Sequence, residues 1–288
     1  MSLESPIIGY TLGDQAGIGP EVIRKALEQC SGSAEYRLIG AAIDCRPGQP
    51  TQDTAKAALE HLEMAAEALR SGSIDAVVTA PVCKEGLHRV GFAYPGQTEF
   101  FADRLGVSNF AMCLTGKRLT VALCTTHLAL AEVPEKLTSS EIVRIGGLLG
   151  DFLRKQGKPT PRLAVAGLNP HNGESGAFGD EESRIIVPAV QQLQEQMPWC
   201  AVNGPCVPDC VYRDAAEGAY DGIIAPYHDQ ALIPLKLLDF DNAVNATIGL
   251  PRLRVSPDHG TAFGIAGKGI ANPSSTIRAF QVALSSMN

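Results

Sequence analysis

YDGIIAPYHDQ, residues 220–230, carries the pattern on which the fold turns. Its central apolar run, bounded by polar and turn-forming residues, reads as a strand buried on both faces. His228 stands just past that run, followed by Asp229 and Gln230, two polar neighbours able to fix the tautomer of an imidazole. The arrangement recurs in VALCTTHL (121–128), which delivers His127, and in LAVAGLNPH (163–171), which delivers His171. Three of the six histidines therefore follow strand-like runs. Such a strand brings its imidazole to the carboxyl edge of a sheet, where open α/β proteins bind ligands. Three neutral imidazoles converging on one point would make an open divalent-metal site with room for a substrate.

Outward from these runs, strand-like and helical patterns alternate, as in a mostly parallel sheet covered on both faces. IIGYTLGD reads as a strand and QAGIGPEVIRKALEQ as the helix after it, with Pro20 suited to a first turn. Ala55, Ala58, Leu59, Leu62, Ala66 and Leu69 repeat at helical spacing up to Gly72, and IDAVVTAPV reads as a buried strand. Thr138 and Glu141 suggest a capping box ahead of a helix closed by Gly157. RLAVAGLN is a strand, EESRIIVPAVQQLQEQ a helix with an acidic start, and a last helix runs from about Ser274 to the end.

The 288 residues are 45% hydrophobic, enough for one large core or two modest ones. A net charge of −7 argues against a nucleic-acid partner, because neutralising a phosphate backbone takes a basic face. No run of about 18 apolar residues predicts a membrane span. MSLESPIIGYTLGDQ places acidic and polar residues where a secretory signal needs a basic start and an apolar stretch. The eight cysteines form no CxxC, which suits reduced thiols. The expectation is a cytoplasmic α/β protein.

Two further groups bear on chemistry. Lys236, Asn245 and Arg254 fall in one short stretch after His228. Lys is a point charge for phosphate and Arg a planar fork, though either also reads as a solvated surface charge. NPHNGESGAFGDEE around His171 is a glycine-rich loop opening a helix whose amide end could hold an anion. GDQAGIG after the first strand is not G-x-G-x-x-G, and no acidic partner follows at the Rossmann distance, so no dinucleotide is placed there. His61 and His88 read as an ordinary helix residue and an ordinary loop residue.

GDQAGIGPE, TAPVCKEG, PGQTEFFADRLG, TTHL, GLNPHNGESGAFGDEE, NGPCVPD, YHDQALIPLK, VNATIGLPRLR and DHGTAFGIAGKGIAN occur in one order along the chain. Together they resemble the 4-hydroxythreonine-4-phosphate dehydrogenase family of pyridoxal phosphate biosynthesis. HGTAFGIAGKGIANP also resembles the dinucleotide-binding loop of isocitrate and isopropylmalate dehydrogenases. The resemblance implies two α/β/α domains of that type with an active-site cleft between them. The first would be discontinuous, 1–115 plus 250–288, with the dinucleotide loop near 258–272; the second would span 116–249 and hold the metal ligands and dimer interface.

The same resemblance implies that His127, His171 and His228 bind a divalent cation (Zn, Mg or Co) at a site shared between the subunits of a homodimer. It implies substrate contacts at Gln97, Thr98, Lys236, Asn245 and Arg254. Asp209 becomes the candidate to orient or deprotonate the substrate, and Lys84 a second catalytic candidate. His259, Gly260, Thr261 and Asn272 would hold NAD or NADP. The implied reaction oxidises, and then decarboxylates, a small phosphorylated hydroxy acid, 4-phosphooxy-L-threonine, to 3-amino-2-oxopropyl phosphate. Two departures put the substrate in question. Gln97 stands where the family most often has His, and the stretch between Arg37 and Thr51 is short. An alternative is the same chemistry on 4-phosphothreonate, 4-phosphoerythronate or a carboxylated dihydrodiol.

Overall fold

The computed structural model describes residues 5–30 and 34–287. The sequence reading of the N-terminus draws partly on residues 1–4, and that of the last helix reaches residue 288; both parts lie outside the described residues. The chain forms two compact units, Met1–Phe110 with Val244–Asn288, and Ala111–Ala243.

The first unit contains β1 (Ile7–Thr11), α1 (Gly19–Leu27), β2 (Glu35–Leu38), α2 (Gln52–Ser71), β3 (Ala76–Thr79), α3 (Lys84–Arg89) and α4 (Gln97–Arg104). The second contains β4 (Ala111–Thr115), β5 (Thr120–Leu123), α5 (Val133–Lys136), α6 (Ser139–Lys155), β6 (Arg162–Ala166), α7 (Val187–Gln196), β7 (Ala201–Cys206), α8 (Pro208–Ala216), β8 (Gly222–Ala225) and α9 (His228–Asp239). The chain then completes the first unit with β9 (Val244–Ile248), β10 (Leu253–Pro257) and α10 (Ser274–Ser285).

In the first unit the strand order is β2-β1-β3-β10-β9, parallel except for β9 against β10. In the second it is β4-β5-β8-β6-β7, parallel except for β4 against β5. The fold class is therefore the α/β arrangement expected from the alternating patterns. β3 and β8 are buried at every position, which is why their sequences are apolar without alternation.

Each unit has its own core. Leu62, Leu69, Ile74, Val77, Phe100 and Phe101 fill the first, and Leu114, Val121, Leu123, Ile223 and Leu235 the second. Each such side chain contributes roughly 1.5–3 kcal/mol by leaving water. α2 starts at a reciprocal cap between Thr51 and Thr54 and stops where Gly72 turns left-handed at φ 77°.

Local details differ from the sequence reading at three places. Thr138 caps α6 by accepting from the Glu141 amide, but the Glu141 carboxylate turns to Arg144 instead of closing a reciprocal box. The helix expected from Glu181 opens as a π-turn, Glu182–Ile186, before α7 begins. Pro188, at the start of α7, has no N–H for an i−4 bond. His88 lies in the last turn of α3 rather than in a loop. Among the described residues, no helix is long and apolar enough to cross a membrane, and all eight cysteines are free.

The short stretch after β2 is a loop pinned on both sides. Gln15 donates from Nε2 to the Ala41 carbonyl and accepts at Oε1 from the Ile43 amide. The Ala41 amide donates to Nε2 of the buried His61, 3.1 Å away. His61 thus has the hydrogen-bonded core role expected of a helix histidine.

Candidate active site

The three histidines follow β5, β6 and β8, adjacent parallel strands ordered β5-β8-β6. The Cys124 amide donates to the Ala225 carbonyl, and both the amide and the hydroxyl of Thr125 donate to the Pro226 carbonyl. These bonds tie the exit of β5 to that of β8 and bring the His127 and His228 rings to 5.7 Å between centroids. His228 opens α9, and its Nδ1 lies 2.7 Å from the Asp229 carboxylate. A carboxylate only accepts, so this contact favours the tautomer with the proton on Nδ1, the one that leaves Nε2 to face a ligand. Gln230, expected beside the histidine, instead donates to the Gly167 carbonyl at 2.8 Å and accepts from the Tyr212 hydroxyl at 3.3 Å.

His171 does not join the other two. Among the described residues of the single chain, no three His, Cys, Asp or Glu side chains gather closely enough to hold a metal. His171 is exposed on a turn in which residues 171–175 all take positive φ, between 42° and 74°. Only Gly173 among them is a glycine, and left-handed backbone costs roughly 1–2 kcal/mol at each other residue. The entry to this loop holds an internal anion: the buried Glu182 carboxylate accepts from the Leu168 and Asn169 amides at 2.8 and 2.7 Å.

Gln97, Thr98, Asn245 and Arg254 all belong to the first unit. Arg254 lies opposite Thr247 in the β9–β10 register, and Asn245 lies two residues from Thr247, so the three share a sheet face. Arg254 is 2% exposed and donates to the Thr79 hydroxyl from two nitrogens and to Gln97 Oε1 at 2.8 Å. Burial pulls its guanidinium down to about 9, and Phe101 lies under the cation at 5.9 Å. Its hydrogen-bond partners are neutral, and the Glu99 carboxylate acts on the buried charge through space and offsets only part of its burial. Thr98, at the start of α4, meets Thr247 hydroxyl to hydroxyl at 3.2 Å. Asn245 Oδ1 is buried without a partner. Together the cation and the open acceptor suit a ligand bearing both an anion and a donor.

The loop carrying His259, Gly260, Thr261 and Asn272 is held by α1. Ile18 donates its amide to the Thr261 carbonyl, Lys25 donates to the Gly269 and Ala271 carbonyls, and Glu21 accepts from the Ala271 amide. His259 Nε2 is buried and unpartnered, while Asn272 accepts from the Ser274 amide and hydroxyl at the start of α10. In GDQAGIG the amides of Asp14, Ala16, Gly17 and Ile18 are bonded within the protein.

Asp209 is exposed in the first turn of α8, and Lys84 is exposed at the start of α3. Lys236 lies half-buried two turns beyond His228 on α9. Thr79, Gln15 and Glu182 escaped the sequence reading. Nothing in an isolated Thr, Gln or Glu marks it as the partner of a distant group.

Two parallel-stranded units with ligand-type side chains at their strand ends define a protein of the isocitrate dehydrogenase-like fold. The isocitrate dehydrogenase structure from Methylococcus capsulatus shares that fold at 17% identity and a TM-score of 0.56, covering 98% of this chain and 86% of that one. The chain belongs to the PdxA family: the family described as Pyridoxal phosphate biosynthetic protein PdxA matches residues 16–283. It is 37% identical to a 4-hydroxythreonine-4-phosphate dehydrogenase of Desulforapulum autotrophicum, over 98% of this chain and 96% of that one. It is also 37% identical to a D-threonate 4-phosphate dehydrogenase of Pectobacterium atrosepticum, over 97% and 99%. A crystal structure of the Klebsiella pneumoniae 4-hydroxythreonine-4-phosphate dehydrogenase matches with a TM-score of 0.83 at 36% identity, covering 99% and 100%. The chain is an oxidoreductase of the dehydrogenase class.

Proposed function

We propose that this dehydrogenase oxidises 4-phosphooxy-L-threonine with NAD or NADP and a divalent cation, followed by decarboxylation to 3-amino-2-oxopropyl phosphate. The observation that carries the reading is the trio of histidines leaving three adjacent parallel strands, with His228 already oriented by Asp229. Imidazole donors with a carboxylate behind one of them suit zinc and other first-row ions. The chemistry such an ion supplies is Lewis-acid polarisation of substrate oxygens.

The chain's own groups would do the rest. Arg254 and Lys236 would bind the phosphate or carboxylate, so that binding energy away from the reacting carbon positions it. Gln97 would donate a neutral N–H to the substrate, and Asn245 Oδ1 would accept a donor from it. Thr98 would set the floor of this pocket. Asp209 would orient or deprotonate the substrate, with Lys84 as the second candidate. The loop of His259, Gly260, Thr261 and Asn272 would hold the adenosine half of the dinucleotide.

The enzyme would act as a homodimer with the metal site shared between subunits. Ile233 and Leu237 on α9 and Phe240 at its C-terminal cap are 67%, 83% and 72% exposed, which suits burial against a second copy. With the rings of His127 and His228 together and His171 apart, the third ligand would come from the partner subunit.

A second reading keeps the chemistry and changes the substrate to 4-phosphothreonate, 4-phosphoerythronate or a carboxylated dihydrodiol. Gln97 favours it, as does the similarity to a D-threonate 4-phosphate dehydrogenase. Assaying reduced dinucleotide formation with each substrate decides between them. The first reading expects the highest kcat/KM with 4-phosphooxy-L-threonine; preference for another member of the panel selects the second.

A further inference from the structure

We infer that Glu182 is a positioning residue for His171, its carboxylate serving as the peg around which the histidine-bearing turn is wound. The inference rests on the proposed role of His171 as a metal ligand. Glu182 is 4% exposed, and all its bonded partners are N–H groups rather than a cation. Oε1 accepts from the amides of Leu168 and Asn169, the residues just before Pro170 and His171. Oε2 accepts from Asn169 Nδ2 at 3.0 Å.

The far side of the turn closes on the same carboxylate. A Cβ placed on Gly173 would come within 2.9 Å of Oε2 and 2.6 Å of the Gly179 carbonyl. Only a glycine lets the turn sit this tightly. The segment is tied down elsewhere as well: Asn172 donates to the Pro205 carbonyl, the Gly167 amide to Cys206, and Gln230 to the Gly167 carbonyl.

His171, Asn172, Glu174 and Ser175 do not choose left-handed backbone by themselves, so the surroundings must impose it. Without an acceptor at Oε1, two half-buried backbone donors would lose their partner, and the turn would recover hydration by opening. An open turn moves the His171 imidazole off its aim. Glu182 touches neither ligand nor reacting atom, so its effect runs through the histidine.

The test is cobalt(II) titration of the full-length protein, followed by visible absorption, in wild type, Glu182→Gln, Glu182→Asp and His171→Ala, each with a thermal melt. Glu182→Gln keeps an oxygen for both amides and is expected to bind within about threefold of wild type. Glu182→Asp withdraws the carboxylate by one methylene and is expected to bind at least about tenfold more weakly with a displaced band, the size typical of lost support behind a metal ligand. Folded Glu182→Asp with wild-type affinity and spectrum would overturn the inference, as would equal losses in both variants. His171→Ala separates the two claims: wild-type cobalt binding there refutes His171 as a ligand, whereas loss there with none in Glu182→Asp refutes only the peg.

Discussion

Arg254 Nη2 lies 2.8 Å from Gln97 Oε1, and that bond fixes which way the Gln97 amide faces. A guanidinium has donors only, so the oxygen must turn toward it and the NH₂ away. Gln97 therefore presents two donors whose charge does not change with pH. Replacement by histidine, the residue more usual in the resembling family, would put a titrating ring against a cation. The kcat/KM profile of Gln97→His is expected to gain a limb below the ordinary histidine value of about 6.5, because the adjoining cation disfavours the imidazolium, and wild type lacks that limb. Identical limbs in both enzymes would remove Gln97 from the substrate site.

Arg254 should give a second signature. Burial lowers its pKa to about 9, still above neutral, so the group stays charged at working pH. Arg254→Lys, which loses the planar fork, should raise KM at least about tenfold at neutral pH. An unchanged KM would mean that the buried guanidinium is structural.

Gly17 tests the dinucleotide loop. A Cβ there would stand 2.7 Å from the Thr261 carbonyl oxygen and 2.9 Å from the Thr261 Cβ. Gly17→Ala must push that loop, and KM for NAD or NADP is expected to rise about tenfold while cobalt binding is unaffected. Equal changes in dinucleotide and metal affinity would argue against a local effect on residues 259–272.

The pinned stretch after β2 should make stability sensitive to acid. Burial holds His61 below its ordinary value, and its Nε2 accepts the Ala41 amide only while neutral. The folded value is depressed, so the stabilisation is complete above the ordinary histidine value and is lost as pH falls through the window beneath it. Melting temperatures at about pH 7 and about pH 5 should differ more in wild type than in His61→Gln. Equal differences would remove His61 as the acid-sensitive group.

Much of this architecture was legible because strands buried on both faces betray themselves as apolar runs, and residues at their ends fall where sheets bind ligands. YDGIIAPYHDQ gave both strand and histidine in eleven letters. The turn at His171 was not legible: left-handed backbone at His, Asn, Glu and Ser is imposed by contacts, not by local preference. Glu182 read as an acidic helix start, because its acceptor role depends on amides 13 and 14 residues earlier. The bond between Gln97 and Arg254 spans 157 residues and leaves no local trace. That only two of the three rings meet within one chain is likewise a property of folded geometry.

The central claim is that His171 completes, from the partner subunit, a site begun by His127 and His228. Mixing inactive His171→Ala and His228→Ala proteins under subunit exchange tests it directly. Half of the dimers would be mixed, each with one intact site, so activity should return to about a quarter of wild type. A mixture of His127→Ala and His228→Ala should stay inactive, because those ligands come from the same protomer. No recovery in the first mixture, with exchange verified, or recovery in the second, would contradict the shared site.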